Sequence, residues 1–343
     1  MVKQNFLSNL YKRASALQKT IVLSEGEDKR IIQAAIAASE QNLAKLILLG
    51  EEAKIEPMLG QASNIRIIDP KTSHFQNEFS DYYYQKRRHR SVDKEQAQKA
   101  VTDPYIFACI MVALGYADGT LGGAACATAT IVRHAIQMIG AAKHESKGDN
   151  IEGQKDLISS FFLMLFEREH HARKGAFIFA DCGLNIEPSP AELAKIAIQS
   201  ASSYRQLTRD EPLIAFLSFS SKGSAKHEKV DKMVEATKLA QALEPNLYID
   251  GELQFDAALL PEIASSKAKD SKVAGKANLF IFPDLNSGNI GYKIAERIGG
   301  AIALGPILQG LAKPANDLSR GCSADDVLSM IAITALQAND SWD

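Results

Sequence analysis

The chain has 343 residues, 46% of them hydrophobic and 23% charged, a balance that suits a globular protein too long for one ordinary core. Its 39 Lys and Arg against 41 Asp and Glu leave a formal charge of -2, so no broad cationic field exists for non-specific nucleic-acid binding and any basic site must be local. No run of ~18 apolar residues could span a bilayer. No charged-then-apolar leader opens the chain, and Cys109, Cys126, Cys182 and Cys322 lie far apart with no Cys-x-x-Cys pair, which predicts a cytoplasmic protein without a disulfide framework.

In chain order, the apolar run Thr20-Ile21-Val22-Leu23 predicts a strand that ends in Ser24-Glu25-Gly26, and Ile31, Ile32, Ala35 and Ile36 then mark one face of a helix. Lys45 to Leu49 and Ile65 to Ile68 read as two more strands, stopped by Gly50 and by Asp69-Pro70. Lys86-Arg87-Arg88-His89-Arg90 is the densest basic cluster and reads either as a solvated helix face or as a local anion site. The segment from Gly140 to Asp156 holds Lys143 to Asn150 with almost nothing apolar, so it reads as a polar linker where the chain crosses between domains.

Ser160 to Phe166 and Ala176 to Ala180 are predicted strands flanking the polar turn Glu167 to Gly175. Ser189-Pro190-Ala191-Glu192 has the form of a helix start, with a Ser cap, Pro at the first position and Glu three residues after the cap. Leu193, Ile196, Ala197 and Ala201 supply its buried stripe, and a later helix carries Val230, Met233, Val234 and Thr237. Strands alternating with helices predict parallel sheets covered on both faces. Phe177 to Asp181 echoes Phe280 to Asp284, each a buried run ending in Asp. Those acids either face a ligand at the carboxyl end of a sheet or simply start turns.

Several familiar chemistries find no support. No Gly-x-Gly-x-x-Gly follows a strand, and no Gly-x-x-x-x-Gly-Lys-[Ser/Thr], Gly-x-Ser-x-Gly or His-Glu-x-x-His occurs. Glu167-Arg168-Glu169-His170-His171 offers metal-ligand types, but it sits alone in a polar turn and reads as a surface hairpin.

Five stretches in a fixed order carry a resemblance. Gly305-Pro306-Ile307-Leu308-Gln309-Gly310 leads through Lys313-Pro314 to Asn316-Asp317-Leu318-Ser319-Arg320-Gly321. Phe280 to Asp284 continues into Asn286-Ser287-Gly288-Asn289-Ile290-Gly291-Tyr292-Lys293, and Ile249 to Ala257 and Phe179 to Cys182 add two further fragments. In the first half, Asp103-Pro104 through Gly115-x-Ala117-Asp118-Gly119 agrees, followed by Gly123-Ala124. Together these resemble the phosphate acetyltransferase family over nearly the whole chain.

The resemblance implies two α/β/α domains with an interdomain cleft, in a fold like that of isocitrate and isopropylmalate dehydrogenases. Residues 1–142 with 303–343 would form the first domain and residues 143–302 the second. It also implies a homodimer, with no metal or nicotinamide cofactor and coenzyme A as a substrate. The implied reaction is reversible transfer of acetyl between acetyl-CoA and inorganic phosphate, giving acetyl phosphate and CoA through a ternary complex. Asp326 matches the family's thiol base, and Ser319 the hydroxyl that stabilises the oxyanion or phosphate. Arg320 matches a phosphate-binding fork, and Arg87 and Arg133 match two arginines for anionic parts of CoA or acetyl phosphate. Ser323-Ala324-Asp325-Asp326 also reads as a capping box for the last helix, a structural role for the same acid.

The chain departs from the family pattern at Cys126, Thr130 and His134, where His, Asp and Pro are usual, and in the longer polar segment that follows. Phosphate butyryltransferase, with the same chemistry and a roomier pocket, therefore stays open, as does a non-catalytic CoA-binding module. A hydroxy-acid dehydrogenase would need metal-binding acids at Asp-x-x-x-Asp spacing, which the chain lacks.

Overall fold

The computed structural model describes residues 2–62, 64–142 and 157–339; of the polar linker predicted from Gly140 to Asp156, residues 143–156 lie outside them. The chain runs α1 (Val2–Leu17), β1 (Thr20–Leu23), α2 (Lys29–Glu40), β2 (Lys45–Leu49), α3 (Glu52–Leu59), β3 (Ile65–Ile68) and α4 (Gln76–Arg87). A single 3-10 turn over Arg88–Arg90 precedes α5 (Lys94–Ala100), α6 (Pro104–Leu114), β4 (Gly119–Gly122) and α7 (Thr128–Met138). Then follow β5 (Ser159–Phe166), β6 (Gly175–Ala180), α8 (Pro190–Thr208), β7 (Leu213–Leu217), α9 (Glu228–Leu243) and β8 (Tyr248–Leu253). Next come α10 (Phe255–Leu259), α11 (Pro261–Lys267), β9 (Leu279–Ile281), α12 (Leu285–Arg297), β10 (Ile302–Gln309), β11 (Ala315–Asp317) and α13 (Ala324–Gln337).

These elements form two compact units. One comprises Phe6–Asp156 and Leu311–Asp343, the other Met1–Asn5 and Leu157–Gly310.

The first unit is built on a five-stranded sheet in the order β11-β4-β1-β2-β3, parallel throughout. Val22, Leu23, Ile47 and Leu48 are buried, as continuous apolar runs covered on both faces require. Its core gathers Val22, Ile47, Phe79, Phe107 and Met111, with the apolar centre of α6 sunk into it. Burying each such large side chain stabilises the unit by about 1.5–3 kcal/mol. The strand order reverses beside β1: the chain moves outward through β2 and β3, then returns to place β4 on the other flank. Open α/β sheets leave a crevice at such a reversal, outside the carboxyl ends of the strands.

The second unit holds a six-stranded sheet in the order β10-β5-β6-β9-β7-β8. Here the parallel pairing expected from the strand-helix rhythm applies to β6-β9-β7-β8, while β5 runs antiparallel to both β6 and β10. The reason is local: β5 and β6 are joined by the short polar turn after Phe166 rather than by a crossover helix. Phe162, Phe177, Phe179, Phe280 and Phe282 dominate its core. Ser189 starts α8 through a full capping box, its hydroxyl accepting the Glu192 N–H while the Glu192 carboxylate accepts the Ser189 N–H.

The two echoed acids start turns. Asp181 is buried, and its carboxylate accepts bonds from the backbone N–H groups of Ser160, Gly183, Leu184 and Asn185 and from the Ser160 hydroxyl and Asn185 amide. Asp284 caps α12 by accepting the Ser287 N–H. His170 and His171 both contact the Gly299 carbonyl, and among the described residues no cluster of three or more metal-ligating side chains occurs.

Candidate active site

The carboxyl ends of β1, β4 and β11 converge where the strand order of the first unit reverses. Glu25 follows β1 and turns its carboxylate toward the β4–α7 loop. There it accepts the N–H groups of Gly123 (3.0 Å), Ala124 (2.7 Å) and Ala125 (2.8 Å), and the Tyr105 hydroxyl (2.8 Å). Successive backbone N–H groups of this kind form an anion-binding cradle. In this chain the cradle holds an internal carboxylate. Burial and the bond to Glu25 push the Tyr105 phenol pKa up, so it serves as a fixed donor.

Arg30 ties this loop to the next. Asp28 caps α2 through the Arg30 N–H (2.8 Å) and grips the Arg30 guanidinium with both oxygens, at 3.0 and 2.7 Å. The bond to Arg30 holds the Asp28 carboxyl below the usual carboxylate range. The guanidinium also donates to the carbonyls of Ala124 (2.8 Å), Arg320 (2.8 Å) and Cys322 (3.3 Å). One side chain thus fixes both the β4–α7 loop and the β11–α13 loop.

Ser319 and Arg320 are exposed in that second loop. The Ser319 Oγ accepts the Gly321 N–H at 3.3 Å, which leaves its hydroxyl proton available to a ligand. The Arg320 guanidinium joins no ion pair among the described residues; it is only the backbone carbonyl of this residue that Arg30 holds.

Asp326 occupies the third residue of α13 and closes the capping box that its sequence suggested. Its Oδ2 accepts both the Ser323 N–H and the Ser323 hydroxyl at 2.8 Å, while the Asp326 N–H points to the Ser323 Oγ at 3.2 Å. The structural role of this acid is therefore real, and it uses one carboxylate oxygen.

The remaining two predicted residues meet elsewhere on the same unit. Arg87 ends α4 and Arg133 lies on α7, both close to His134. Burial depresses the His134 pKa first; Asp103 opposes this, and the charges of Arg133 and Arg87 add to the depression. Arg87 Nε and His134 Nδ1 are buried without hydrogen-bond partners, and neither arginine is ion-paired among the described residues. Helix α7 links the two groups of residues: Thr128 at its start bonds Asp317 at the end of β11, and Arg133 lies about 7–8 Å further along its axis.

A cavity of about 410 Å³ opens beside Glu25, lined by Glu27, Asp28, Glu51, Asp69 and Tyr105 among others. Its carboxylates disfavour a phosphate there, whereas the unpaired guanidiniums at Arg320, Arg87 and Arg133 favour one.

The structure thus brings Ser319, Arg320 and Asp326 onto one loop and helix start, and groups Arg87 with Arg133. Glu25, Arg30 and Asp317 organise these groups without having stood out in the sequence. Glu25 follows the apolar strand β1 and Asp317 lies within the Asn316-Asp317-Leu318-Ser319 run, but no local signal marked Arg30.

The model of the phosphate acetyl/butaryl transferase family matches residues 5–335. The chain belongs to that family. A phosphate acetyltransferase from Acetivibrio thermocellus is 43% identical over 336 residues, covering 97% of this chain and 98% of the relative. One from Paracoccus denitrificans is 45% identical over 331 residues, covering 96% and 98%. The crystal structure of a phosphotransacetylase from Streptococcus pyogenes superposes with a TM-score of 0.89 at 41% identity, covering 99% of this chain and all of that one. The family fold extends to a 4-hydroxythreonine-4-phosphate dehydrogenase from Klebsiella pneumoniae, with a TM-score of 0.52 at 10% identity over 94% of this chain and 100% of that one. That likeness bears on fold alone, and it agrees with the dehydrogenase-like architecture expected from the sequence.

Proposed function

We propose that this chain is a phosphate acetyltransferase, moving an acetyl group reversibly between coenzyme A and inorganic phosphate within a ternary complex. The observation that carries the reading is the set of three arginines, Arg320, Arg87 and Arg133, left without carboxylate partners among the described residues in a chain of net charge -2. Both substrates are phosphate-bearing anions, and a guanidinium fork matches phosphate oxygens. In the direction of acetyl-CoA formation, Arg320 holds the phosphoryl group of acetyl phosphate. Ser319 donates its free hydroxyl proton to the oxygen that gains charge as the thiol attacks. Asp326 takes the thiol proton through the carboxylate oxygen that the cap leaves free. Arg87 and Arg133 hold anionic parts of CoA. No substrate changes oxidation state, so the reaction as written needs no redox cofactor, and CoA enters as a substrate.

The named relatives at 43–45% identity favour acetyl over butyryl. The test is phosphate- or arsenate-dependent consumption of acetyl-CoA by the purified chain, with acetyl and butyryl phosphate compared in the reverse direction. Faster turnover with butyryl phosphate would reassign the acyl group. CoA binding without any transfer would turn the reading toward a binding module.

We further infer a homodimer acting in the cytoplasm. Along α12 and at its C-cap, Ile290, Ile294 and Ile298 are exposed at 57%, 53% and 82%, an apolar stripe at helical spacing. It adjoins an aromatic cavity of about 540 Å³ walled by Phe166, Phe177, Phe179 and Phe280. Ile294→Glu is expected to yield monomers in sedimentation; an unchanged parent mass would remove this face from the interface. Four free thiols suit a reducing compartment, and no helix among the described residues is long and apolar enough to cross a membrane.

A further inference from the structure

Asp317 ends β11 two residues before Ser319, and it is wholly buried. Its Oδ2 is bonded to the Thr128 hydroxyl at 2.5 Å, at the first residue of α7. Its Oδ1 has no hydrogen-bond partner. Gly123 is packed against that oxygen. A Cβ built on Gly123 would lie 2.1 Å from Oδ1, and the glycine already sits at φ +108. The Leu318 N–H is likewise engaged, donating to the Gly122 carbonyl at 2.7 Å.

A buried carboxyl with one hydrogen bond is an unfavourable choice for packing alone, since an apolar side chain of similar size would avoid the desolvation. What the carboxyl provides is a link between two elements. Behind it stands the loop of Ser319 and Arg320, and in front stands the helix that carries Arg133.

We propose that Asp317 is a positioning residue for acyl transfer, clasping Thr128 so that the Ser319–Arg320 loop and the Arg133 helix keep one fixed separation. This rests on the phosphate acetyltransferase reading given above. The charge environment gives the clasp a working range. Burial pushes the Asp317 carboxyl up to about 7; the Thr128 bond opposes this, and the nearby charge of Glu25 adds to it. Above that range the Thr128 bond itself tightens, since it favours the ionised carboxyl, but the charge on Oδ1 stays buried with no donor, a cost that falls on the packing between β11 and α7. Asn at 317 stays neutral at every pH and can still exchange a hydrogen bond with Thr128.

The test is the pH profile of turnover and Michaelis constants between pH 6 and 9 for Asp317→Asn, Asp317→Ala, Thr128→Val and Thr128→Ser. Asp317→Ala and Thr128→Val are expected to lower turnover tenfold or more at pH 7 while melting cooperatively, and Thr128→Ser to restore most of it. Asp317→Asn is expected within about threefold of the parent at pH 6.5, without the parent's decline toward pH 8.5. Parental turnover in Asp317→Ala and Thr128→Val, or an Asp317→Asn profile that declines as the parent's does, would overturn the assignment. An inactive parent chain would instead count against the reaction itself. The clasp is then read by calorimetry with CoA, where Asp317→Ala must bind at least threefold more weakly than the parent for the positioning role to stand.

Discussion

Arg30→Ala is expected to lower both stability and turnover, because one guanidinium makes three bonds to the β4–α7 and β11–α13 loops and two to Asp28. The substitution removes the fork to Asp28 and the donors to Ala124, Arg320 and Cys322. Hydrogen bonds to charged groups contribute about 1.5–3 kcal/mol each when shielded. The side chains of Arg30 and Asp28 are 29% and 19% exposed, so solvent screens part of the pair, and the 3.3 Å contact to Cys322 is weak. Discounted in this way, the sum is about 2–4 kcal/mol, visible as a lower midpoint in urea at pH 7. Loosening the Ser319–Arg320 loop is expected to cost a further ten- to hundredfold in turnover, since misplaced catalytic groups lose rate steeply. Arg30→Lys should fall between, for an ammonium cannot reach three carbonyls and a carboxylate in fork geometry. A loss under about 1 kcal/mol together with parental turnover would refute the reasoning, because the loops would then hold their shape without the stitch.

Other outcomes follow from the same geometry. Asp326→Asn keeps an acceptor for the Ser323 N–H, so it should cost under ~1 kcal/mol in melting while turnover falls about a hundredfold, with Asp325→Asn as the active control; an Asp326→Asn enzyme with most of its turnover would leave that acid a cap only. Ser319→Ala should lower turnover by about ten- to a thousandfold, the range for one oxyanion donor, and steady-state rates at saturating substrate decide it. Arg87→Ala should raise the Michaelis constant for CoA about tenfold with little change in turnover, as loss of one charge-assisted phosphate contact far from the reacting carbon predicts; equal constants in mutant and parent remove Arg87 from CoA binding. His134 has its pKa lowered in the folded state, so its contribution to stability is present above about pH 6.5 and is lost as pH falls through the depressed value. His134→Gln should therefore flatten the acid side of melting temperature against pH, and an unchanged slope would exclude that linkage.

Much of the fold could be read directly. The strands at Thr20–Leu23, Lys45–Leu49 and Ile65–Ile68 have the predicted ends, since continuous apolar runs stopped by Gly or Asp-Pro leave little freedom of boundary. The caps at Ser189 and Ser323 were legible because a capping box is a local pattern closed by local bonds. The β10 strand was hidden by Gly305-Pro306, a pair that interrupts a ladder; the register shift between Leu304 and Ile307 absorbs it. The assembly of the candidate site was illegible for a different reason. Periodicity reports which residues are buried, not which strands are neighbours, so nothing in the sequence placed Glu25 beside residues 123–125 or Arg30 beside Cys322. Asp317 lay in plain view within its motif, yet its burial against Gly123 depends on β11 lying next to β4.

The carboxylate of Glu25 seated in the backbone amides of Gly123, Ala124 and Ala125 has a consequence for ligand discrimination. Amide cradles respond mainly to negative charge and compactness, and would welcome sulfate, chloride or any nucleotide phosphate alike. With that seat plugged by the chain itself, the phosphate binding proposed for this chain falls to guanidiniums, which read the planar spacing of paired oxygens. Under that proposal, selectivity among the many phosphate compounds of a cell depends on where a few long side chains point. Such a system can be retuned by single substitutions without rebuilding the sheet beneath it.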